Sequence, residues 1–73
     1  MNNLYVLNEV LTDYTSGMAV IAAPSLDACR EVFADEFEFW TGEFDSSIEN
    51  GDFKVIEGVD HPTGLISYVH GGG

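Results

Sequence analysis

Apolar and polar residues alternate along the first third of the chain, and this pattern predicts two β-strands. Residues 4–11, LYVLNEVL, and residues 18–23, MAVIAA, are the two apolar runs. The first run divides its apolar side chains between two faces, Tyr5, Leu7 and Leu11 on one and Leu4, Val6 and Val10 on the other. Residues 13–17, DYTSG, are typical of a turn. Because the connection is short, the strands should pair as an antiparallel hairpin.

After Pro24 the apolar spacing changes from two residues to three or four, which predicts a helix over residues 26–38. Ser25 is a good N-cap for this helix. The apolar residues share one helical face, formed by Leu26, Cys29, Val32, Phe33, Phe37 and Trp40. The opposite face carries a stripe of carboxylates, Asp27, Glu31, Asp35 and Glu38. Arg30 should relieve the charge of Asp27 alone, and Gly42 should end the helix.

The second half of the chain predicts two further strands. Residues 43–51 indicate a loop or a short irregular strand that ends in the tight-turn signal Asn50-Gly51. The remaining segments are a strand over residues 52–58, a turn over residues 60–64, a strand over residues 65–70 and a flexible glycine tail over residues 71–73.

These elements occur in the order β-β-α-(β)-β-β, which predicts an α+β fold. We expect an antiparallel sheet of four, possibly five, strands with one α-helix packed on one face. Only Pro24 and Ser25 separate the second strand from the helix, so the helix must fold straight back onto the sheet. A chain of 73 residues has room for one small core. A single domain over residues 1–70 is therefore expected.

Charge is the outlying property of the composition. Thirteen Asp and Glu residues stand against two basic residues, Arg30 and Lys54, for a net charge of -11. Direct binding to nucleic acid is disfavoured because phosphates need Lys and Arg to neutralise them. Anionic membranes are disfavoured for the same reason, whereas a basic protein partner is favoured. The alternative is that the charge confers only solubility.

The sequence predicts a cytoplasmic protein. The N-terminal segment MNNLYVLNEV lacks the basic start and the long apolar run of a signal peptide. No run of about 18 apolar residues is present, so we expect no membrane span. The single cysteine, Cys29, agrees with a reducing compartment because one cysteine cannot build a disulfide framework.

Candidates for catalysis are few, and we expect a protein that is not an enzyme and needs no cofactor. His61 and His70 are the available general bases, and Cys29 lies on the apolar helix face, where a thiol is usually inert. A carboxylate metal site would draw on Asp45, Glu49 and Asp52, but their spacing does not match an EF-hand loop. The two histidines show no zinc-site spacing. We therefore predict no metal site.

The acidic residues between Asp27 and Asp52 are the predicted partner-binding surface. Carboxylates four residues apart on a helix lie about 6 Å apart along its axis, and each strand of duplex DNA carries one charge per about 3.4 Å. Acids from the following segment would bring the patch close to the charge density of a short duplex. An aromatic within the patch would supply the desolvated anchor. The predicted surface comprises Asp27, Glu31, Asp35, Glu38, Glu43, Asp45, Glu49 and Asp52, with Phe44 as the anchor.

The start LYVLNEV, the small strand MAVIAA and the Pro-Ser opening of the helix are similar in style to phage-encoded inhibitors of type I, Cascade-type complexes. In size, element order and charge the whole chain resembles the small anti-CRISPR proteins. The resemblance implies an acidic inhibitor in the host bacterial cytoplasm. It would bind a basic DNA-binding surface of a CRISPR-Cas effector subunit by DNA mimicry and so block target DNA binding. Its site residues are chosen from the acidic patch, and we expect a monomer or a weak dimer.

Two alternatives remain open on the sequence. The C-terminal Gly72-Gly73 and the β-β-α-β-β order are similar to sulfur-carrier and ubiquitin-like proteins of the β-grasp fold. That resemblance implies a carrier activated at its terminal glycine. The other alternative is a structural or metal-dependent accessory protein whose acidity serves solubility.

Overall fold

The computed structural model describes residues 1–11 and 17–71, and within them it confirms the α+β class with a four-stranded antiparallel sheet. The elements in chain order are β1 (Asn2–Val10), β2 (Gly17–Ala23), α1 (Leu26–Glu36), a 3-10 turn (Glu38–Trp40), α2 (Thr41–Asn50), β3 (Phe53–Val59) and β4 (Gly64–Val69). The turn expected over residues 13–17 and the glycines 72 and 73 lie outside the described residues, except for Gly17, which begins β2. No helix in these ranges is long and apolar enough to cross a membrane.

The predicted hairpin forms the centre of the sheet. The strand order is β3-β1-β2-β4, and all neighbouring pairs are antiparallel. The pairing of Tyr5 with Ile21 shows the register between the two central strands. β3 and β4 are therefore the two edges of the sheet.

Because of a bulge at the end of β1, one residue does not lie on the face that the sequence predicted. The register shifts between Asn8 and Val10, and Glu9 has a φ of 57°. An extra residue in one strand reverses the alternation of the side chains that follow it. Val10 is consequently fully buried together with Leu11, and its expected position on the face of Leu4 was wrong.

Both helices cover the same face of the sheet and bury the core against it. α1 begins as predicted, because the Ser25 hydroxyl accepts a hydrogen bond from the Ala28 amide at 3.2 Å. Its predicted apolar face is confirmed: Cys29 and Phe33 are buried, and Leu26, Val32, Phe37 and Trp40 pack against the core while remaining partly accessible. The buried apolar cluster comprises Tyr5, Leu7, Val10, Leu11, Ala19, Ile21, Ala23, Cys29, Phe33 and Phe44.

The prediction of a single helix was wrong, because residues 43–51 are not a loop or a fifth strand. Phe37 ends α1 with φ -133° and ψ 59°, and the chain then re-enters helical geometry as α2. Gly42 lies in the first turn of α2 rather than ending α1. The tight-turn signal at Gly51 is instead a left-handed helix cap with φ 77°, a conformation that glycine adopts readily.

A buried hydroxyl ties α2 to the sheet. Ser47 Oγ lies 2.7 Å from the Asn8 carbonyl oxygen and 3.0 Å from the Asp52 carbonyl oxygen, so its one proton serves two acceptors. The Asn8 amide also donates to the Asp52 carbonyl at 2.8 Å. These bonds fix the position of α2 over β1 and satisfy the buried Ser47 hydroxyl.

The prediction of a flexible tail was wrong for Gly71, the first residue of that tail. Gly71 is buried, and its amide donates a hydrogen bond of 2.8 Å to the Leu11 carbonyl. The end of β4 is thereby held to the end of β1, and the folded domain extends to Gly71.

Candidate functional site

The carboxylates are concentrated on the helical layer, which we define as residues 26–50. This segment holds eight acidic residues and one basic residue, for a net charge of -7. Seven of the eight acids are exposed, and Glu43 is half-buried. The helices point these side chains away from the sheet because their apolar faces are used to cover it. The outer surface of the helical layer is therefore the strongly negative surface of the protein.

The predicted carboxylate stripe is present on α1. Asp27, Glu31 and Asp35 are all exposed at successive turns of the helix, about 6 Å apart along its axis. Glu38 continues the stripe from the 3-10 turn and is also exposed. Glu31, Asp35 and Glu38 line an open groove whose far side is formed by Thr63 between β3 and β4. This groove is lined by three exposed carboxylates and by no basic residue.

The only basic residue of the helical layer, Arg30, pairs with Asp45 of α2 and not with Asp27 as predicted. Arg30 Nε lies 2.8 Å from Asp45 Oδ1, and its second nitrogen lies 2.9 Å from Oδ2. The hydrogen bond from Arg30 lowers the pKa of Asp45, and the same bond raises the pKa of Arg30. The ion pair joins α1 to α2 and neutralises one predicted site residue, so Asp45 contributes less to an external partner than the sequence suggested.

Two further grooves beside α2 contain the other predicted acids, together with Asp27 and Asp45. Asp27, Asp45 and Glu49 line a groove between the two helices. Glu43 and Asp52 are half-buried and line a separate groove on the other side of α2. That second groove also includes Glu9, which the sequence reasoning missed because only the bulge in β1 brings it there. The single patch expected from the sequence is thus three neighbouring acidic grooves.

The prediction of Phe44 as the anchor was wrong, and the most exposed aromatic residue in the described part of the chain is Phe39. Phe44 is 1% exposed, and its ring centroid lies 5.1 Å from that of Phe33. α2 turns Phe44 inward, which a loop would not have done. Phe39 is 93% exposed and directly follows Glu38 in the 3-10 turn. The signal for this was present in the sequence, since Phe39 does not follow the spacing of the buried helix face.

Phe37 and Phe53 have a structural role, and the apolar helix face predicted this for Phe37. Both pack against the buried core. The Phe37 ring lies 5.2 Å from Phe33 and makes an edge contact with Tyr68 of β4 at 5.1 Å. Trp40 makes an edge contact with the His70 ring at 5.0 Å. These contacts fix the 3-10 turn to β4 and so hold Phe39 in its exposed position.

Cys29 is buried, as its helical position predicted. Burial raises the pKa of its thiol to about 12, so the thiol stays protonated near neutral pH. His61 Nδ1 and His70 Nδ1 each lie within 2.8 Å of the carbonyl oxygen of the next residue. Across residues 1–11 and 17–71, no group of three or more His, Cys, Asp or Glu side chains is arranged to hold a metal ion.

Comparison with family models, with curated proteins and with solved structures found no match.

Proposed function

We propose that this protein is an acidic, non-enzymatic inhibitor whose helical layer occupies a basic DNA-binding surface of a CRISPR-Cas effector. The observation that carries the proposal is the excess of acidic over basic residues in the helical layer. Eight acids share it with one arginine, and that arginine is already bound to Asp45. The layer therefore offers carboxylates to a partner and no free positive charge to oppose them.

The arrangement of the acids supports mimicry of a nucleic-acid backbone. The α1 stripe repeats a carboxylate about every 6 Å, and Glu49 of α2 lies across the groove that Asp27 also lines. A row of carboxylates with a further one beside it presents negative charge of the kind that a protein channel for duplex DNA binds. Long-range attraction between the layer and such a channel would make association fast and sensitive to salt.

Phe39 supplies the apolar contact that charge alone does not provide. Charged pairs at the rim of an interface mainly set the association rate, whereas buried aromatics supply most of the affinity. A phenylalanine that is 93% exposed beside Glu38 loses its contact with water when a partner covers it. In the proposed complex Phe39 enters an apolar pocket next to the basic surface while Glu31, Asp35 and Glu38 meet Lys and Arg side chains.

The proposal assigns the protein to the host bacterial cytoplasm, where such effectors bind target DNA. Its partner is an effector subunit, with no direct contact to nucleic acid and no membrane. The sulfur-carrier alternative depends on Gly72 and Gly73, which lie outside the described residues, and no feature of the site favours it.

The test compares two double charge reversals that change the net charge equally. Glu31→Lys/Asp35→Lys removes the centre of the α1 stripe, and Glu57→Lys/Asp60→Lys removes two exposed acids outside the helical layer. Target-DNA binding by a purified type I effector is measured by fluorescence anisotropy with increasing inhibitor. We expect the first variant to need at least about tenfold more protein for half-inhibition, and the second to act nearly as the parent protein does.

Equal losses in the two variants would mean that total charge, rather than the α1 stripe, determines inhibition. If the parent protein leaves DNA binding by the effector unchanged at saturating concentration, the assignment to this class of partner is wrong.

A further inference from the structure

One face of the sheet is not covered by any element in the described part of the chain. Both helices pack on the face that carries Tyr5 and Leu7, so the alternate residues point to the opposite side. The strand register shows which residues share that side: Leu4 and Val6 of β1, Met18 and Val20 of β2, Ile56 of β3 and Val69 of β4. We call these six residues the open sheet face. Ile56 is 52% exposed and Val69 is 57% exposed.

The open sheet face is also the part of the surface from which the acids are missing. In the register, the other positions on this side are Asn2, Asn8, Ala22, Lys54, Val59, Gly64 and Ser67. None of these is acidic, although the chain has thirteen acidic residues. Glu9 lies at the rim, in the bulge that ends β1. Acidity that served solubility alone would have no reason to be absent from an apolar surface that water reaches.

We propose that the open sheet face binds the same face of a second copy of this chain. This inference does not depend on the proposed function. Sheets that pack face to face lie about 10 Å apart and interdigitate apolar side chains, as the flat row of Leu, Val, Met and Ile side chains would do. The product is a four-layered particle with the two helical layers outside. A chain of this length has a small core, and the second copy adds buried apolar area to it.

The area of the face fits a weak, closed dimer. Four strands about 4.8 Å apart, each with some six residues in the sheet, cover roughly 20 by 20 Å. Two such faces bury about 800 Å², which is below the roughly 1,000 Å² of stable specific interfaces and in the range of weak, transient ones. We therefore expect dissociation in the micromolar range. Contact between identical faces closes at two copies, because each copy uses the same face for it.

Electrostatic repulsion between the two copies is too weak to prevent this contact, although each copy has a large net charge. With the sheets about 10 Å apart and each helical layer about 10 Å beyond its own sheet, the two acidic layers lie roughly 30 Å apart. The screening length at physiological salt is about 8 Å, so the layers scarcely interact. Any other orientation of two copies would bring carboxylates of the helical layers closer together. A second copy is thus repelled least at the open sheet face.

The test is sedimentation equilibrium of the full chain in 0.15 M salt, from about 1 to 500 μM. The mass should rise from 8.0 kDa toward twice that value and stop there. Ile56→Glu, which puts a carboxylate into the face, should raise the dissociation constant at least tenfold. Val55→Glu is the matched control on the same strand: Val55 points to the other side of the sheet and is 43% exposed. It should change the constant less than threefold, with circular dichroism confirming that both variants fold.

Three results would overturn the proposal. The first is a parent protein that stays monomeric at 500 μM in 0.15 M salt. The second is a mass that grows beyond that of a dimer, which would indicate pairing through the edge strands β3 and β4. The third is a Val55→Glu variant that weakens the dimer as much as Ile56→Glu does.

Discussion

The two faces of this small protein differ in almost every property that governs association. The helical layer is acidic and grooved, and its one arginine is internally paired. The open sheet face is apolar, and Lys54 is the charged residue among its registered positions. Alternate side chains of each strand point to opposite sides of the sheet. One set packs under the helical layer, and the other set forms the open sheet face. A chain of 73 residues can in this way carry two surfaces whose binding responds to opposite conditions.

The largest expected effect is a difference in stability between substitutions of the buried Phe44 and of the exposed Phe39 in the helical layer. Phe44→Ala removes a ring that is 1% exposed and contacts Phe33, so it should cost roughly 3–5 kcal/mol of unfolding free energy. Small domains have about 5–15 kcal/mol in total, so this variant should be close to unfolding. Phe39→Ala is the matched control and should change stability by less than about 0.5 kcal/mol. Urea unfolding followed by circular dichroism measures both.

Similar losses in the two variants would show that Phe39 is part of the core and cannot serve as an exposed anchor. The helical layer would then be a purely charged surface, and the contrast between the two faces would lose its aromatic component.

Short apolar runs predicted the strands, and the spacing of apolar residues by three or four predicted α1. This spacing missed α2 because the buried face of α2 includes Ser47, a polar residue whose burial depends on the carbonyl oxygens of Asn8 and Asp52. Nothing near Ser47 in the sequence shows that these acceptors will be there. The same error misplaced Phe44, since a residue assigned to a loop has no inward side.

The acidic stripe of the candidate site was predictable, but its ion pair and the open sheet face were not. Asp27, Glu31 and Asp35 follow from helical spacing alone. Arg30 reaches Asp45 only because α2 packs beside α1. Leu4 and Val6 were assigned to one face of their strand, but which face the helices cover is decided by long-range packing. Local patterns therefore give the contents of a face, whereas tertiary contacts decide whether it is exposed.

Added salt should weaken the binding of the helical layer to a partner and strengthen the dimer formed by the open sheet face. Between 0.05 and 0.5 M salt, binding of the helical layer to a basic partner should weaken at least about tenfold, because screening removes the attraction. Between 0.01 and 0.15 M salt the screening length falls from about 30 to about 8 Å, so repulsion between the acidic layers fades and the dimer should strengthen about threefold or more. Anisotropy and sedimentation measure the two constants.

A partner complex that is indifferent to salt would contradict binding through the helical layer and would point to the open sheet face instead. A dimer that weakens with salt would be held by charge, which the open sheet face does not offer.

The smallest expected effect concerns the one ion pair within the acidic layer. Hydrogen bonding to Arg30 lowers the pKa of Asp45, so the pair stabilises the fold at neutral pH, and this contribution is lost as pH falls through the folded-state pKa of Asp45. Asp45→Asn should therefore lower the thermal midpoint by a few degrees at most at pH 7, since both side chains are about half exposed, and by less in acid.

Glu49→Gln is the control, because it removes the same charge from an exposed position on the same helix. Relief of repulsion should leave its midpoint unchanged or slightly higher at pH 7. Scanning calorimetry at several pH values distinguishes the two variants. If both raise the midpoint equally, the Arg30–Asp45 pair contributes nothing beyond its charge, and Asp45 remains as available to a basic partner as the exposed acids of α1. If the two variants differ in sign, one carboxylate of the helical layer is committed to holding α1 against α2, and the surface offered to a partner is centred on Glu31, Asp35 and Glu38.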